Sequence, residues 1–264
     1  MSLIPDSYLE NGFIIVKDVF KNEDIESCKQ ELIQICNEVI DKKYIDLELT
    51  LRAVFAKDPN TYLQILRTFS KSARLQSLFL KEELLSFVKR LGVKVPTQPT
   101  QPVTHVTCED LLIEGEAAGI KAHQDWPSIQ GSLDSLVVWI PFTEVNDLSY
   151  PIQILPRSHL DGLRESVIEK KGSIIKLTQE EEKNILDVVC SPGDALIFST
   201  FTVHRTKTNI KNSKFRFSAS TRFDNAIEKT FIDRNYPCAY KRSIEREISN
   251  PLSQETIKNF FNKK

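Results

Sequence analysis

Between Asn22 and Ile40 the apolar side chains Ile25, Cys28, Leu32, Ile35, Cys36 and Val39 recur at intervals of three and four, which puts them on one face of a helix. A second helix is predicted over about 60–69 and a third over about 73–91, the last stopped by Gly92, a residue suited to a left-handed cap. Ahead of them, Gly12-Phe13-Ile14-Ile15-Val16 reads as a short extended piece. The pattern changes after Val93. Pro96, Pro99 and Pro102 break helix, and short β-prone runs follow at Val103–Cys108, Ser135–Pro141, Ile152–Leu155, Val188–Val189, Ala195–Thr200 and Phe215–Phe223. Many short strands without long helices between them predict an antiparallel sandwich or barrel, a jelly roll among the options. Residues 161–187 interrupt the strands with a charge-rich stretch, and Thr178 with Glu181 forms a capping-box signature that opens a short helix. This stretch is expected to be an insertion in the position of a lid. Helical spacing returns at Ile257, Phe260 and Phe261.

The organisation expected is one domain over 1–264. A helical part covers about 1–92, a β core about 93–225 with the insertion 161–187, and a tail 226–264. Hydrophobic residues at 41% and charged residues at 27% supply both a core and a solvated surface. Lys plus Arg (35) nearly cancels Asp plus Glu (36), so no electrostatic demand for nucleic acid or an anionic membrane arises. The longest apolar stretch, Leu136 to Phe142, falls well short of the roughly 20 residues of a membrane span. Pro5 and Asp6 stand where a signal peptide would need a basic end and an apolar run. The five cysteines make no CxxC pair and are odd in number, which predicts buried thiols and a cytoplasmic protein. Oligomeric state is not legible in this pattern.

Candidate chemistry starts from four histidines, His105, His123, His159 and His204. His123-Gln124-Asp125 sets an imidazole and a carboxylate two apart, and on an extended strand the two would point the same way. With so many acids in the chain such a pair also arises by chance. His204 follows 81 positions later, beyond a Pro192-Gly193-Asp194 turn and the apolar run Ala195–Phe198. Twelve positions on, Arg216 lies in the alternating run Lys214–Ser220 with Phe215 and Phe217 on the opposite face. A buried guanidinium is costly without an anion, so Arg216 calls either for a carboxylate ligand or for an ion pair with a protein acid. Two imidazoles and a carboxylate leave three octahedral positions open, which suits Fe(II). Zinc hydrolysis uses similar ligands, and the three residues alone leave the metal open.

Taken together, these motifs resemble the phytanoyl-CoA dioxygenase (PhyH-like) family of Fe(II)/2-oxoglutarate-dependent oxygenases. The resemblance rests on Tyr8–Phe20 and the Asn22 helix, then His123-Gln124-Asp125-Trp126, Leu155-Pro156-Arg157-Ser158-His159, Pro192-Gly193-Asp194, His204 and Phe215-Arg216-Phe217-Ser218, in family order over about 7–225. It implies a mainly β fold, a double-stranded β-helix (jelly-roll, cupin-like) core with N-terminal helices packed against it. It implies His123, Asp125 and His204 as iron ligands and Arg216 on the far carboxylate of 2-oxoglutarate. Thr206 matches a family hydroxyl two places after the last ligand, and Trp139 stands where relatives place an aromatic beside the cosubstrate; an ordinary core tryptophan is the alternative. The activity implied is oxidation of a small-molecule substrate by O2 with release of succinate and CO2. Relatives that halogenate replace the carboxylate ligand with a small residue, so the retained Asp125 favours hydroxylation. A metal-dependent hydrolase or isomerase, or a noncatalytic binder on the same barrel, are the competing readings.

The chain departs from the family at Arg157, where Gly is frequent, and at Tyr150-Pro151, where a small residue is usual; both are expected near the mouth of the site. Residues 41–60, 161–187 and Trp126 are expected at the entrance. His159 is read as a loop-stabilising residue and His105 as a structural one.

Overall fold

In the computed structural model, residues 4–40, 42–112, 119–169, 172–237 and 251–262 are described. The chain opens with α1 (Asp6–Asn11), which stops at Gly12 and passes straight into β1 (Phe13–Val16). Gly12 has φ 78°, and a Cβ there would run into the ring of His159 and the hydroxyl of Thr202, so only glycine fits this corner. Next comes α2 (Asn22–Asn37), close to the predicted span.

The helix α3 (Leu47–Lys57) lies outside the predicted helices, although Asp46 caps it by accepting from the Leu49 amide and Leu47, Leu51 and Val54 form its buried face. It packs on α2 and on α4 (Pro59–Phe69), which Asp58 caps and Pro59 starts. The helix predicted over 73–91 is two: α5 (Ala73–Phe79) and α6 (Glu82–Arg90). Leu80 leaves the helical conformation and is half exposed, and Lys81 is extended. The break lets Leu75, Leu78 and Phe79 on one piece and Leu84 and Val88 on the other all reach the core.

The strands that follow are β2 (Pro96–Thr97), β3 (Val103–Thr107), β4 (Leu136–Pro141) and β5 (Ile152–Ile154), with the one-turn α7 (Trp126–Ile129) ahead of β4. The charged stretch then holds a hairpin of β6 (Val167–Glu169) and β7 (Gly172–Ile174), followed by α8 (Gln179–Asn184). Thr178 opens α8 with the predicted box, its hydroxyl accepting from the Glu181 amide at 3.2 Å while its own amide donates to the Glu181 carboxylate at 2.8 Å. Leu186 and Asp187, at the end of this stretch, are already paired with Ile154 and Gln153, as part of β8 (Leu186–Val188). The chain continues through β9 (Ala195–Ser199), β10 (His204–Thr206), β11 (Arg216–Asn225), α9 (Lys229–Asp233) and α10 (Gln254–Asn262).

The larger sheet runs β1-β9-β4-β11-β2, with β3 also on β11, and the smaller runs β10-β5-β8; the pairings are antiparallel. Period-two alternation explains how the large sheet is buried twice over. Leu136, Val138 and Ile140 face the helices together with Ile197, Phe217 and Ala219. Val137, Trp139, Leu196 and Phe198 point the other way, onto Ile152, Ile154, Val188 and Cys190 of the smaller sheet side. All six residues of β4 are therefore buried. Two sheets face to face with helices outside the larger one make the jelly-roll architecture that the strand pattern allowed.

The described cysteines, Cys28, Cys36, Cys108 and Cys190, are buried free thiols, while Cys238 lies outside the described residues. Burial pushes Cys28, Cys36 and Cys190 up to about 12, which leaves them unreactive packing groups. Among the described residues no helix is long and apolar enough to cross a membrane.

Candidate metal centre and anion pocket

His123 and His204 are brought together by the backbone itself. Each amide donates to the other's carbonyl at 3.0 Å, an isolated antiparallel bridge at the start of β10. The strand expected for His123-Gln124-Asp125 is absent. Asp125 has φ −80° and ψ −27° and begins the turn of α7, with its amide held by the Thr200 carbonyl at 2.9 Å. The two side chains still converge because Gln124 between them is turned away and locked. Its amide nitrogen donates to the carbonyls of Gly162 and Phe201, and its oxygen accepts from the Arg164 amide.

One ligand atom from each of His123, Asp125 and His204 lies within 4.8 Å of the other two. The Nε2 atoms stand 3.2 Å and 4.0 Å from Asp125 Oδ1. Nδ1 of His123 lies 2.8 Å from the Lys121 carbonyl and Nδ1 of His204 lies 3.0 Å from that of Thr202. These carbonyls assign a proton to each Nδ1, so a neutral ring presents the Nε2 lone pair toward the carboxylate. Burial, aided by neighbouring His123, depresses His204 to about 3 and keeps it neutral. The two Nε2 atoms and Oδ1 thus share one small volume, a donor set that suits a cation.

Burial alone would push the Asp125 carboxyl up, but the Arg222 guanidinium above all, with the two imidazoles beside it, outweighs burial and holds it well below the usual range. Arg222 donates from Nε at 2.9 Å and from Nη2 at 2.6 Å, both to Oδ2. Sequence reasoning does not single out this residue. The signal for it lies in the alternation of β11, where 216, 218, 220 and 222 share the inward face.

Arg216 starts that row. Its Nη1 donates to the Tyr150 carbonyl and its Nη2 to Thr107 Oγ1 at 2.8 Å, while its Nε has no partner. No acid among the described residues pairs with it, and burial pulls it down to about 10. The Trp139 ring centroid lies 5.6 Å from its guanidinium carbon. One cavity is lined by His123, His204, Arg216, Thr206, Trp139 and Arg222. His105 also lines it, bonded through Nε2 to Ser220 Oγ at 3.1 Å, so the residue read as structural borders the candidate site.

Other expectations fall elsewhere. Trp126 is fully buried and stacked on Phe201 at 5.2 Å, under Ile257 of α10, and is no part of the entrance. Residues 47–57 are a helix packed on helices and line nothing of this cavity. Arg157 is exposed, 3.2 Å from Glu10, at φ 66°, the left-handed conformation that makes glycine natural there. His159 Nε2 donates to the Leu9 carbonyl at 3.1 Å, and the ring packs edge-on against Phe261, contacts that tie this loop to the first and last helices. Tyr150, also at positive φ (51°), is the departure that does touch the site, through its carbonyl on Arg216.

The family model described as Phytanoyl-CoA dioxygenase (PhyH) matches residues 8–218 of the chain. The human protein "Phytanoyl-CoA dioxygenase, peroxisomal" is 22% identical over 256 residues, covering 91% of this chain and 72% of that protein. Among solved structures, the apo form of the non-heme monooxygenase ThoJ has a TM-score of 0.59 at 15% identity, over 84% of this chain and 77% of that one. EctD from S. alaskensis, solved with 2-oxoglutarate and 5-hydroxyectoine, has a TM-score of 0.53 at 14% identity over 92% and 84%. The epimerase SnoN, in complex with Fe3+, alpha ketoglutarate and nogalamycin RO, has 0.53 at 15% over 84% and 82%. At these identities the likeness to the solved structures is one of fold.

Proposed function

The chain belongs to the phytanoyl-CoA dioxygenase family, and on that premise we propose that it is an Fe(II)- and 2-oxoglutarate-dependent dioxygenase that hydroxylates a small molecule. His123, Asp125 and His204 would hold the iron, and Arg216 would bind the distal carboxylate of 2-oxoglutarate. The observation that carries this reading is the closeness of two features: ligand atoms of His123, Asp125 and His204 that converge within 4.8 Å, and a buried guanidinium with no acid partner among the described residues, lining the cavity that both histidines border. Two imidazoles and one carboxylate suit iron(II) and leave an open face. A zinc hydrolase would have no use for a buried Arg216 beside its ligands with no acid partner among the described residues.

When bound, iron with the keto acid supplies the oxidising power. The chain's own residues do the rest. Backbone carbonyls of Lys121 and Thr202 hold both imidazoles in one tautomer and aim Nε2 inward. Trp139 and Thr206 border Arg216, the ring walling off water and the hydroxyl offering a second donor to a carboxylate. Val137, Ile152 and Phe198 give the remaining wall an apolar, water-poor character.

Related proteins include an epimerase and a carbocyclase, so the fate of the substrate is a separate question from its oxidation. Retention of Asp125 as a carboxylate favours hydroxylation over halogen transfer. The test is an oxygen-free iron titration followed by a succinate-release screen over small-molecule classes. Wild type should take up iron and release succinate. His204→Ala should lose both while keeping its far-ultraviolet circular dichroism, and unchanged turnover in that variant refutes the ligand assignment. Incorporation of one oxygen atom from labelled O2 into product separates hydroxylation from epimerisation or ring closure.

A further inference from the structure

We propose that Arg222 is a positioning residue that confines Asp125 to one-oxygen coordination, so that the metal keeps an open face for its other ligands. The inference rests on the assignment of His123, Asp125 and His204 as metal ligands.

The geometry divides the Asp125 carboxylate into two halves. Oδ2 accepts two hydrogen bonds from the Arg222 fork, Nε at 2.9 Å and Nη2 at 2.6 Å. Oδ1 faces the Nε2 atoms of His123 and His204. A carboxylate whose second oxygen is held this way can give a metal only one atom, and rotating to give two would break both bonds. The guanidinium is itself fixed. Its third nitrogen, Nη1, donates to Ser220 Oγ at 3.0 Å, and Ser220 Oγ lies 3.1 Å from His105 Nε2. Ser220 Oγ thus joins the guanidinium to the His105 imidazole, the direction of the second bond following the ring's tautomer. The run His105, Ser220, Arg222, Asp125 is therefore a continuous chain of hydrogen bonds. It crosses from β3 to β11 to the turn that carries the ligand. Arg222, Ser220 and His105 all line the cavity, while Arg222 is largely buried, so the chain sits at the site and not on the outer surface.

Lysine is a poor substitute, because an ammonium keeps the charge but cannot offer two parallel N–H groups to one oxygen while holding a third partner. Arg222→Lys thus separates orientation from charge. Outer partners of metal ligands are commonly worth about 10–100-fold in metal affinity. Co(II) alone, titrated without oxygen and followed by its visible d–d absorption, reports both affinity and coordination number. Arg222→Lys, with its metal-free melting temperature near that of wild type, should bind Co(II) about 10-fold more weakly. Its bands should shift as Asp125 contributes its second oxygen. Arg222→Gln should bind about 100-fold more weakly. Ser220→Ala, which loosens the anchor but leaves the fork, should fall several-fold. Wild-type affinity and an unchanged spectrum in both Arg222 variants overturn the proposal while leaving the ligand assignment standing. Failure of the wild-type protein to bind Co(II) at all overturns both.

Discussion

Arg216 and Arg222 stand six residues apart on the same face of β11, and both line the same cavity. Arg222 has its carboxylate: Asp125 takes two of its donors and Ser220 a third. Arg216 has none. It spends its donors on a carbonyl and a hydroxyl, leaves Nε unmet, and lies deeper in the protein, where burial lowers its affinity for its proton to about 10. The same side chain on the same strand is a finished interaction at one end and an unfinished one at the other. A guanidinium satisfied within the fold holds something still, whereas one buried without an acid waits for an anion from outside. The first reads as scaffolding for a metal ligand, the second as a cosubstrate pocket.

That contrast can be broken most directly at Arg216. Arg216→Leu should cost about 2–5 kcal/mol of 2-oxoglutarate binding, at least about 30-fold in Kd, with metal affinity unchanged. Titration of the iron-loaded variant with 2-oxoglutarate checks it, and a parallel loss of metal affinity would erase the distinction between the two arginines. A smaller effect concerns the group they share. Burial first, then the charges of Arg222 and Arg216, depress His105 to about 3. Since this lies below the value of about 6.5 for an unfolded histidine, the unfolded chain takes up a proton that the folded one refuses. The stability from a neutral His105 is therefore complete above about pH 6.5 and is lost as pH falls toward 3. His105→Gln should flatten the acid side of the stability curve of the metal-free protein, by about 1.4 kcal/mol per pH unit within that window. Urea unfolding at pH values of about 6 and 5 measures it, and an unaltered slope would mean that the folded protein leaves the His105 ring its ordinary proton affinity. The smallest change is expected at Thr206, which borders the Arg216 end. Thr206→Val, by deleting one donor, should weaken 2-oxoglutarate by about 1 kcal/mol, roughly fivefold, and leave metal binding alone. No change in either would remove the hydroxyl from the pocket.

Much of the framework is legible in the order of residues. Periodicity of three and four locates α2 and α4, and alternation locates β3, β4, β9 and β11, because both signals belong to residues adjacent in the chain. The resemblance to the family then picks out His123, His204 and Arg216, which line a single cavity, and Asp125, which stands against both histidines. The departures have physical causes. The break between α5 and α6 serves burial of two separate faces, which no local propensity announces. The ligand pair is predicted on one extended strand, but His123 lies in an isolated bridge and Asp125 on a turn, because their conformations are set by amides bonding to His204 and Thr200 some 75 residues or more away. Trp126, expected at the entrance, is sealed under α10, a packing decided by the tail.

Local order along the chain thus sets which segments alternate, which segments wind, and which residue types are available for holding a metal and an anion. Their division of labour arises only in three dimensions. Whether an arginine is paired depends on what the opposite strand and the next turn bring within about 3 Å, and that proximity is created by sheet pairing between distant segments, not by spacing along the chain.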